Sequence, residues 1–238
     1  MKSGKRRQGL SRRELMVAGS STLLAGLGFQ ELNANHAEAN PNSVGTPITG
    51  DQALQKLMQG NQRHLAGKAK HPEYTLTRLQ EVAKGQKPFA IILGCADSRV
   101  PPELLFDQGL GSLFVIRVAG NIVDDSVLGS MEYAAAELKA PLIMVLGHER
   151  CGAVNATLTG GELPGHIGKL AEAIKPALAR MKKSPGDALD DAVRANVQWV
   201  VEQIKSSQPI LSNLHAEKKL KIVGARYDLD EGRVTIVA

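Results

Sequence analysis

Residues 141–152 read Pro141-Leu142-Ile143-Met144-Val145-Leu146-Gly147-His148-Glu149-Arg150-Cys151-Gly152, and this stretch decides the fold. Five apolar residues in a row, between a proline and a glycine, form a short continuous run, read as a strand buried on both faces. Two similar runs lie upstream: Phe89-Ala90-Ile91-Ile92-Leu93 after Pro88, and Leu113-Phe114-Val115-Ile116. Between the second of these and residue 142, Val127, Leu128, Met131, Ala134, Ala135 and Leu138 recur at helical spacing, predicting a helix over 126–138. Strand alternating with helix predicts a parallel sheet with crossover helices.

Downstream, helices are expected over 167–182 and 188–206, with a third at 209–217. A fourth strand follows at 220–225 and a fifth at 233–237. Asp228-Leu229-Asp230-Glu231-Gly232 between the last two is turn chemistry, so they should pair antiparallel at an edge. Upstream, Leu54, Leu57, Met58 and Leu65 predict a helix opening at Asp51, with Asp51 as its N-cap and Gly67 as its stop. A shorter helix is expected around 75–84. The expected fold class is α/β: a mostly parallel four-stranded sheet plus an antiparallel edge strand, flanked by helices.

Composition agrees and excludes some functions. Of 238 residues, 43% are hydrophobic but only 3% aromatic, so the core rests on Leu, Val, Ile and Ala. Nucleic-acid binders usually carry aromatic stacking platforms or a dense basic face. The net charge of +5 comes largely from residues 1–39, which hold six Lys/Arg and three acids. The rest has 23 basic and 21 acidic residues. Neither nucleic acid nor an anionic membrane is an expected partner.

The N-terminus reads as a targeting segment. Ser11-Arg12-Arg13-Glu14-Leu15-Met16 precedes an apolar, Gly-containing stretch from Val17 to Phe29, and Ala37-Glu38-Ala39 offers small residues for cleavage. The arginine pair in this setting resembles a twin-arginine export signal. The apolar run is shorter than the ~20 residues a membrane span needs. The expected organisation is a signal peptide over 1–39 cleaved after Ala39, a flexible leader over 40–50, and one domain over 51–238. The expected location is periplasmic or otherwise exported, with no membrane association after cleavage.

The chemistry centres on the two cysteines, Cys95 and Cys151, each closely following a predicted buried strand. Ligands of open α/β sheets converge at the carboxyl ends of the strands. If strands 89–93 and 142–146 are neighbours, Cys95, His148 and Cys151 meet, giving a Cys2His zinc set with a fourth position open. Cys151 enters a predicted helix, whose N-terminal potential favours a thiolate. On the residues alone, a Cys95–Cys151 disulfide and two inert buried thiols also stand as readings.

A wider pattern adds to this. Cys95-x-Asp97-Ser98-Arg99 is followed by His148-x-x-Cys151-Gly152. Between them lie Phe106-Asp107-Gln108-Gly109-Leu110-Gly111, Phe114-Val115-Ile116-Arg117, Ala119-Gly120-Asn121 and Ser130-Met131-Glu132-Tyr133. Together they resemble the β-class carbonic anhydrases, with the likeness running from about Asp51 to the C-terminus and strongest over 89–157. The resemblance implies one Zn2+ per subunit on Cys95, His148 and Cys151, and an Asp97–Arg99 pair beside it. It implies reversible hydration of carbon dioxide to bicarbonate and a proton. Gln108 and Gly152 fall where substrate contacts would be. It also implies a cleft at a subunit interface, hence a homodimer or higher even homo-oligomer, with the N-terminal helix packing on the partner.

Some family members close the site by swinging this aspartate onto zinc, stabilised by a bicarbonate pocket built around a tryptophan. The only tryptophan here, Trp199, sits on a late helix, so an open site is expected. Relatives that attack carbon disulfide or carbonyl sulfide, and a silent zinc or bicarbonate binder, are the alternatives. The Asp97–Arg99 pair speaks against a silent binder. His64, His71, His166 and His215 read as surface residues, Glu149 and Arg150 as rim charges, Asp124 and Asp125 as helix starters, and Arg117 as a buried ion-pair partner. Ala119-Gly120-Asn121 should shape the cavity by its backbone. No histidine stands out as a proton shuttle.

Overall fold

The structure is a computed structural model and describes residues 48–72, 74–182 and 184–238. The expected signal peptide, and the leader up to residue 47, lie outside the described residues. Five apolar runs form strands: β1 (Ala90–Gly94), β2 (Leu113–Arg117), β3 (Leu142–His148), β4 (Lys221–Tyr227) and β5 (Val234–Ile236). They make one sheet in the order β2-β1-β3-β4-β5. The first three pairings are parallel, and β4 pairs β5 antiparallel, as the sequence predicts.

Successive side chains of a strand point to opposite faces, and each face here has its own helical cover. The chain supplies α1 (Gly50–Leu65), α2 (Leu76–Val82), α3 (Pro102–Leu105), α4 (Asp125–Ala136), α5 (Gly152–Thr159), α6 (Ile167–Leu178), α7 (Ala188–Ser206) and α8 (Ile210–Ala216). Ala90, Ile92, Leu142, Met144 and Leu146 pack with Leu57 of α1, Val154 of α5 and Ile174 of α6. Ile91, Leu93, Ile143 and Val145 pack with Met131 of α4, Val197 and Ile204 of α7 and Leu211 of α8. Burial on both sides is why β1 and β3 read as unbroken apolar runs. Each fully buried Ile or Leu contributes about 1.5–3 kcal/mol.

Two glycines let α7 lie against the sheet. A Cβ on Gly147 of β3 would sit 2.5 Å from Val197 Cγ2, and one on Gly224 of β4 would sit 2.5 Å from Val197 Cγ1. Both distances are far below van der Waals contact. No side chain fits between helix and sheet one residue before His148.

Several boundaries differ from expectation. The N-cap of α1 is Thr49, not Asp51: Thr49 Oγ1 accepts from the Gln52 amide and Gln52 Oε1 accepts from the Thr49 amide. This reciprocal capping box is worth about 1 kcal/mol and starts the helix within the expected leader. Asp51 instead lies in the first turn and pairs with Lys221 at 2.8 Å. Helix α6 stops at Leu178, not 182, because the amides of Arg180 and Met181 turn back three residues to Ala177 and Leu178. Gly67 ends α1 at φ +63, as expected. Among the described residues, no helix is long and apolar enough to cross a membrane.

Candidate metal centre

Parallel register brings the two cysteine loops side by side. Gly94, the last residue of β1, lies opposite Leu146 of β3 and Arg117 of β2. Cys95 follows β1, His148 ends β3, and Cys151 is the N-cap of α5. One ligand atom from each lies within 4.8 Å of the others, and all three residues are buried. Zinc with Zn–S of about 2.3 Å and Zn–N of about 2.0 Å needs donors spaced roughly 3.5–4 Å apart, so the cluster is the right size.

Each donor is held from outside. The Glu149 backbone carbonyl accepts a 2.9 Å bond from His148 Nδ1. A carbonyl cannot donate, so Nδ1 carries the proton and Nε2 of the neutral ring presents a lone pair. Nε2 is buried and has no hydrogen-bond partner. Cys95 Sγ accepts from the Gly120 amide at 3.3 Å. Gly120 lies in a 3-10 turn, Ala119–Asn121, at φ +73, where a Cβ would also meet Ile174 Cδ1 at 2.9 Å. The turn therefore shapes the cavity by its backbone, as the sequence suggests. The amides of Ala153 and Val154, in the first turn of α5, favour the Cys151 thiolate.

Both cysteines are free thiols, which answers the disulfide reading. Without metal the two sulfurs share a proton. Hydrogen bonding from Cys151, helped by the Gly120 amide, outweighs burial and lowers the Cys95 thiol to about 4. The neighbouring Cys95, together with burial, pushes the Cys151 thiol up. A dication is what would let both ionise. The orphaned Nε2 and the paired thiols together fit zinc.

Asp97 and Arg99 form the expected pair. Arg99 Nε donates to Oδ1 at 2.9 Å and Nη2 to Oδ2 at 2.7 Å, and the Arg99 amide adds a third bond to Oδ1 at 2.9 Å. These bonds hold the carboxyl well below the usual carboxylate range. Oδ2 lies 3.8 Å from His148 Nε2, so the carboxylate borders the cluster while both its oxygens face Arg99. Trp199 is on α7, with the Arg180 guanidinium 4.1 Å from its ring centroid.

Other expectations change. Arg117 is not a buried ion-pair partner. It is exposed, and its guanidinium donates to Cys95 O at 2.9 Å and to Asp97 O, clamping the loop that carries a ligand and the carboxylate. Glu149 and Arg150 are more than rim charges. Glu149 Oε2 accepts from the Leu229 amide at 3.1 Å, and Arg150 makes a two-pronged bond to Asp230 at 2.7 and 2.9 Å. The ligand loop is thereby tied to the β4–β5 turn. That turn is tightened by Asp228, whose carboxyl is lowered to about 2, first by Arg226. His71 and His166 are exposed, whereas His64 and His215 are half-buried. Asp124 caps α4 through the Val127 amide, as expected.

Gln108 is buried and donates to Phe106 O at 2.7 Å. It lines a separate cavity of about 270 Å3 with Lys56, Arg63 and Asp107, and no residue of the cluster lines that cavity. Within one chain, the structure does not bring Gln108 to the metal centre. Gly152 opens α5 beside Cys151, exposed and with open space above its Cα. Two buried polar residues escaped sequence reasoning as contributors. Asp107 accepts from the Lys70 and His71 amides and from Arg63. Asn196 donates to Gly120 O. Neither carries a signal in the sequence, and Asp107 stands out only once the structure shows it at φ +47.

A sequence model described as carbonic anhydrase matches residues 90–234. Carbonic anhydrase 2 of Mycobacterium tuberculosis is 42% identical over 188 residues, covering 77% of this chain and 91% of that one. The carbonic anhydrase of Mycolicibacterium smegmatis is 40% identical over 200 residues, covering 82% and 95%. Among solved structures, a Coccomyxa β-carbonic anhydrase in complex with acetazolamide superposes with a TM-score of 0.63 at 29% identity, covering 77% and 86%. A β-carbonic anhydrase from Sordaria macrospora, one of two described as tetrameric, gives 0.61 at 25% identity, covering 78% and 96%.

Proposed function

The chain belongs to the β-class carbonic anhydrase family and is an enzyme that interconverts carbon dioxide and bicarbonate; from that premise we propose that Cys95, His148 and Cys151 hold one Zn2+ per subunit, with Asp97 and Arg99 directing the reaction beside it. The observation that carries this is the orphaned, buried Nε2 of His148, clustered with two free thiols. Zinc at such a site supplies a nucleophile near neutral pH by acidifying a water.

The chain's own residues do the rest. Asp97 stays ionised because Arg99 hydrogen-bonds both of its oxygens. Oδ2, on the cluster side, accepts a hydrogen bond from the attacking hydroxyl and aims its lone pair at the carbon of CO2. The Arg117 clamp on Cys95 O and Asp97 O keeps that carboxylate in place. Arg99, half exposed at the mouth, gives the departing bicarbonate a positive edge. Gly152 leaves room there because it has no side chain.

Two further expectations belong to this reading. Exposed Tyr74, Leu76, Leu79 and Leu110 leave apolar surface that a homo-oligomer, expected to be even, would cover. Arg12-Arg13 and Ala37-Glu38-Ala39 support export through a twin-arginine route and cleavage after Ala39. Intact mass of protein recovered from an extracytoplasmic fraction tests the cleavage. For the enzyme itself, stopped-flow CO2 hydration and zinc content are measured on the same samples. We expect about one zinc per chain, and loss of both metal and activity in His148→Ala. A wild-type chain that takes up no zinc and stays inactive overturns the metal reading.

A further inference from the structure

Asn196 breaks the ordinary rule of burial. It sits within α7 at 1% exposure, between Ala195 and Val197. A buried amide is normally bonded at both ends. Here Nδ2 donates to Gly120 O at 2.8 Å, while Oδ1 has no partner among the described residues. A leucine would fill a similar volume without stranding an oxygen, so packing does not account for the residue.

The partner it bonds does. Gly120 O accepts from Asn196, and the amide of the same residue donates to Cys95 Sγ. The two peptide planes meet at one Cα that has no side chain to limit rotation. An N–H bonded to a thiolate stabilises the charged, metal-binding form of the sulfur and fixes its direction, so the orientation of this amide matters to the ligand. Asn196 is the side chain on α7 that restrains it.

With Cys95 a zinc ligand, as proposed above, we propose that Asn196 is a positioning residue for the metal centre, holding the Gly120 turn so that its amide stays on the Cys95 sulfur. The effect passes from α7 through one peptide to the ligand and involves no contact with substrate.

The test uses the full chain carrying Asn196→Leu, read by chelator competition for zinc and by the thiolate-to-metal charge-transfer band of the Co2+-substituted protein. Zinc affinity should fall by roughly 10- to 100-fold, and the band should shift. Asn196→Ala, which adds no volume, carries the same expectation if the leucine variant misfolds. Val201→Ala is the control. Val201 is equally buried on α7 but lies in the cluster with Ile204, Leu211 and Ile222 rather than on the Gly120 turn. It should lower the melting temperature while leaving the band and the zinc affinity of the folded protein unchanged. Wild-type affinity and an unshifted band in a folded Asn196 variant overturn the proposal. A wild-type protein that binds neither Zn2+ nor Co2+ overturns the underlying metal reading instead.

Discussion

Gly147→Ala should destabilise the protein and loosen the metal together. The new Cβ would stand 2.5 Å from Val197 Cγ2 and 3.3 Å from Val193 Cγ1, whereas carbon atoms pack comfortably at about 3.5–4.0 Å. Relief needs a shift of about 1 Å between β3 and α7. Neither element yields easily, since every residue of β3 is buried and Val197 is 0% exposed. Overpacking of this kind costs about 1–3 kcal/mol. At about 2–4 °C per kcal/mol for a chain of this size, the melting temperature should drop by roughly 2–12 °C. Val197→Ala alone should cost about 2 kcal/mol from lost methyl burial. Because it removes the obstructing methyl, the double variant should cost about 1–2 kcal/mol less than the two singles combined. Denaturant unfolding of the four proteins measures this. His148 is the next residue, so chelator should also strip zinc faster from Gly147→Ala and return to normal in the double variant. A melting temperature within 1 °C of wild type, or strictly additive costs, would refute the reasoning.

Asp97→Asn should retain zinc yet lose roughly 100-fold or more in kcat, since the amide oxygen stays on the two Arg99 donors at Oδ1 and an NH2 replaces the Oδ2 acceptor that orients the attacking hydroxyl; parallel metal analysis and stopped-flow assays check both. Arg99→Ala should reveal an acid limb. The wild-type Asp97 carboxyl is held below its ordinary value of about 3.9, so its stabilising contribution is complete above that pH and is lost only as pH falls through the depressed value. Removing Arg99 raises this pKa, and kcat should then decline as pH drops from about 5 toward 4. Rapid pH-jump assays with zinc content followed in parallel separate that decline from metal loss. Arg117→Ala should lower kcat with little change in folding, because its guanidinium binds two carbonyls of the ligand loop rather than the core; unchanged kcat would remove the clamp from the mechanism.

The sheet was legible because its central strands are buried on both faces. Ile91-Ile92-Leu93 and Leu142–Leu146 must be apolar throughout, and that pattern survives without any knowledge of the partners. The antiparallel edge was legible because Asp228 and Gly232 write a turn in side-chain chemistry. What escaped depends on backbone groups, which have no residue signature. The carbonyl that orients His148 belongs to Glu149, and any residue would supply it. Arg117 looked like half of an ion pair because an arginine announces charge, whereas the groups it binds are carbonyls. Asn196 passed unnoticed on the buried face of an amphipathic helix because its partner lies 76 residues away. Asp51 read as the cap because Asp is a good capping residue, whereas the reciprocal bond between Thr49 and Gln52 puts the cap two residues earlier.

The braces on the ligand loop set an order of events during synthesis. All three ligands lie between residues 95 and 151, but Glu149 and Arg150 are anchored by Tyr227, Leu229 and Asp230. A nascent chain halted before that turn already owns every donor atom and still lacks the strut that holds two of them in place. Firm metal capture at the proposed site would therefore wait until the β4–β5 turn has formed and docked on this loop.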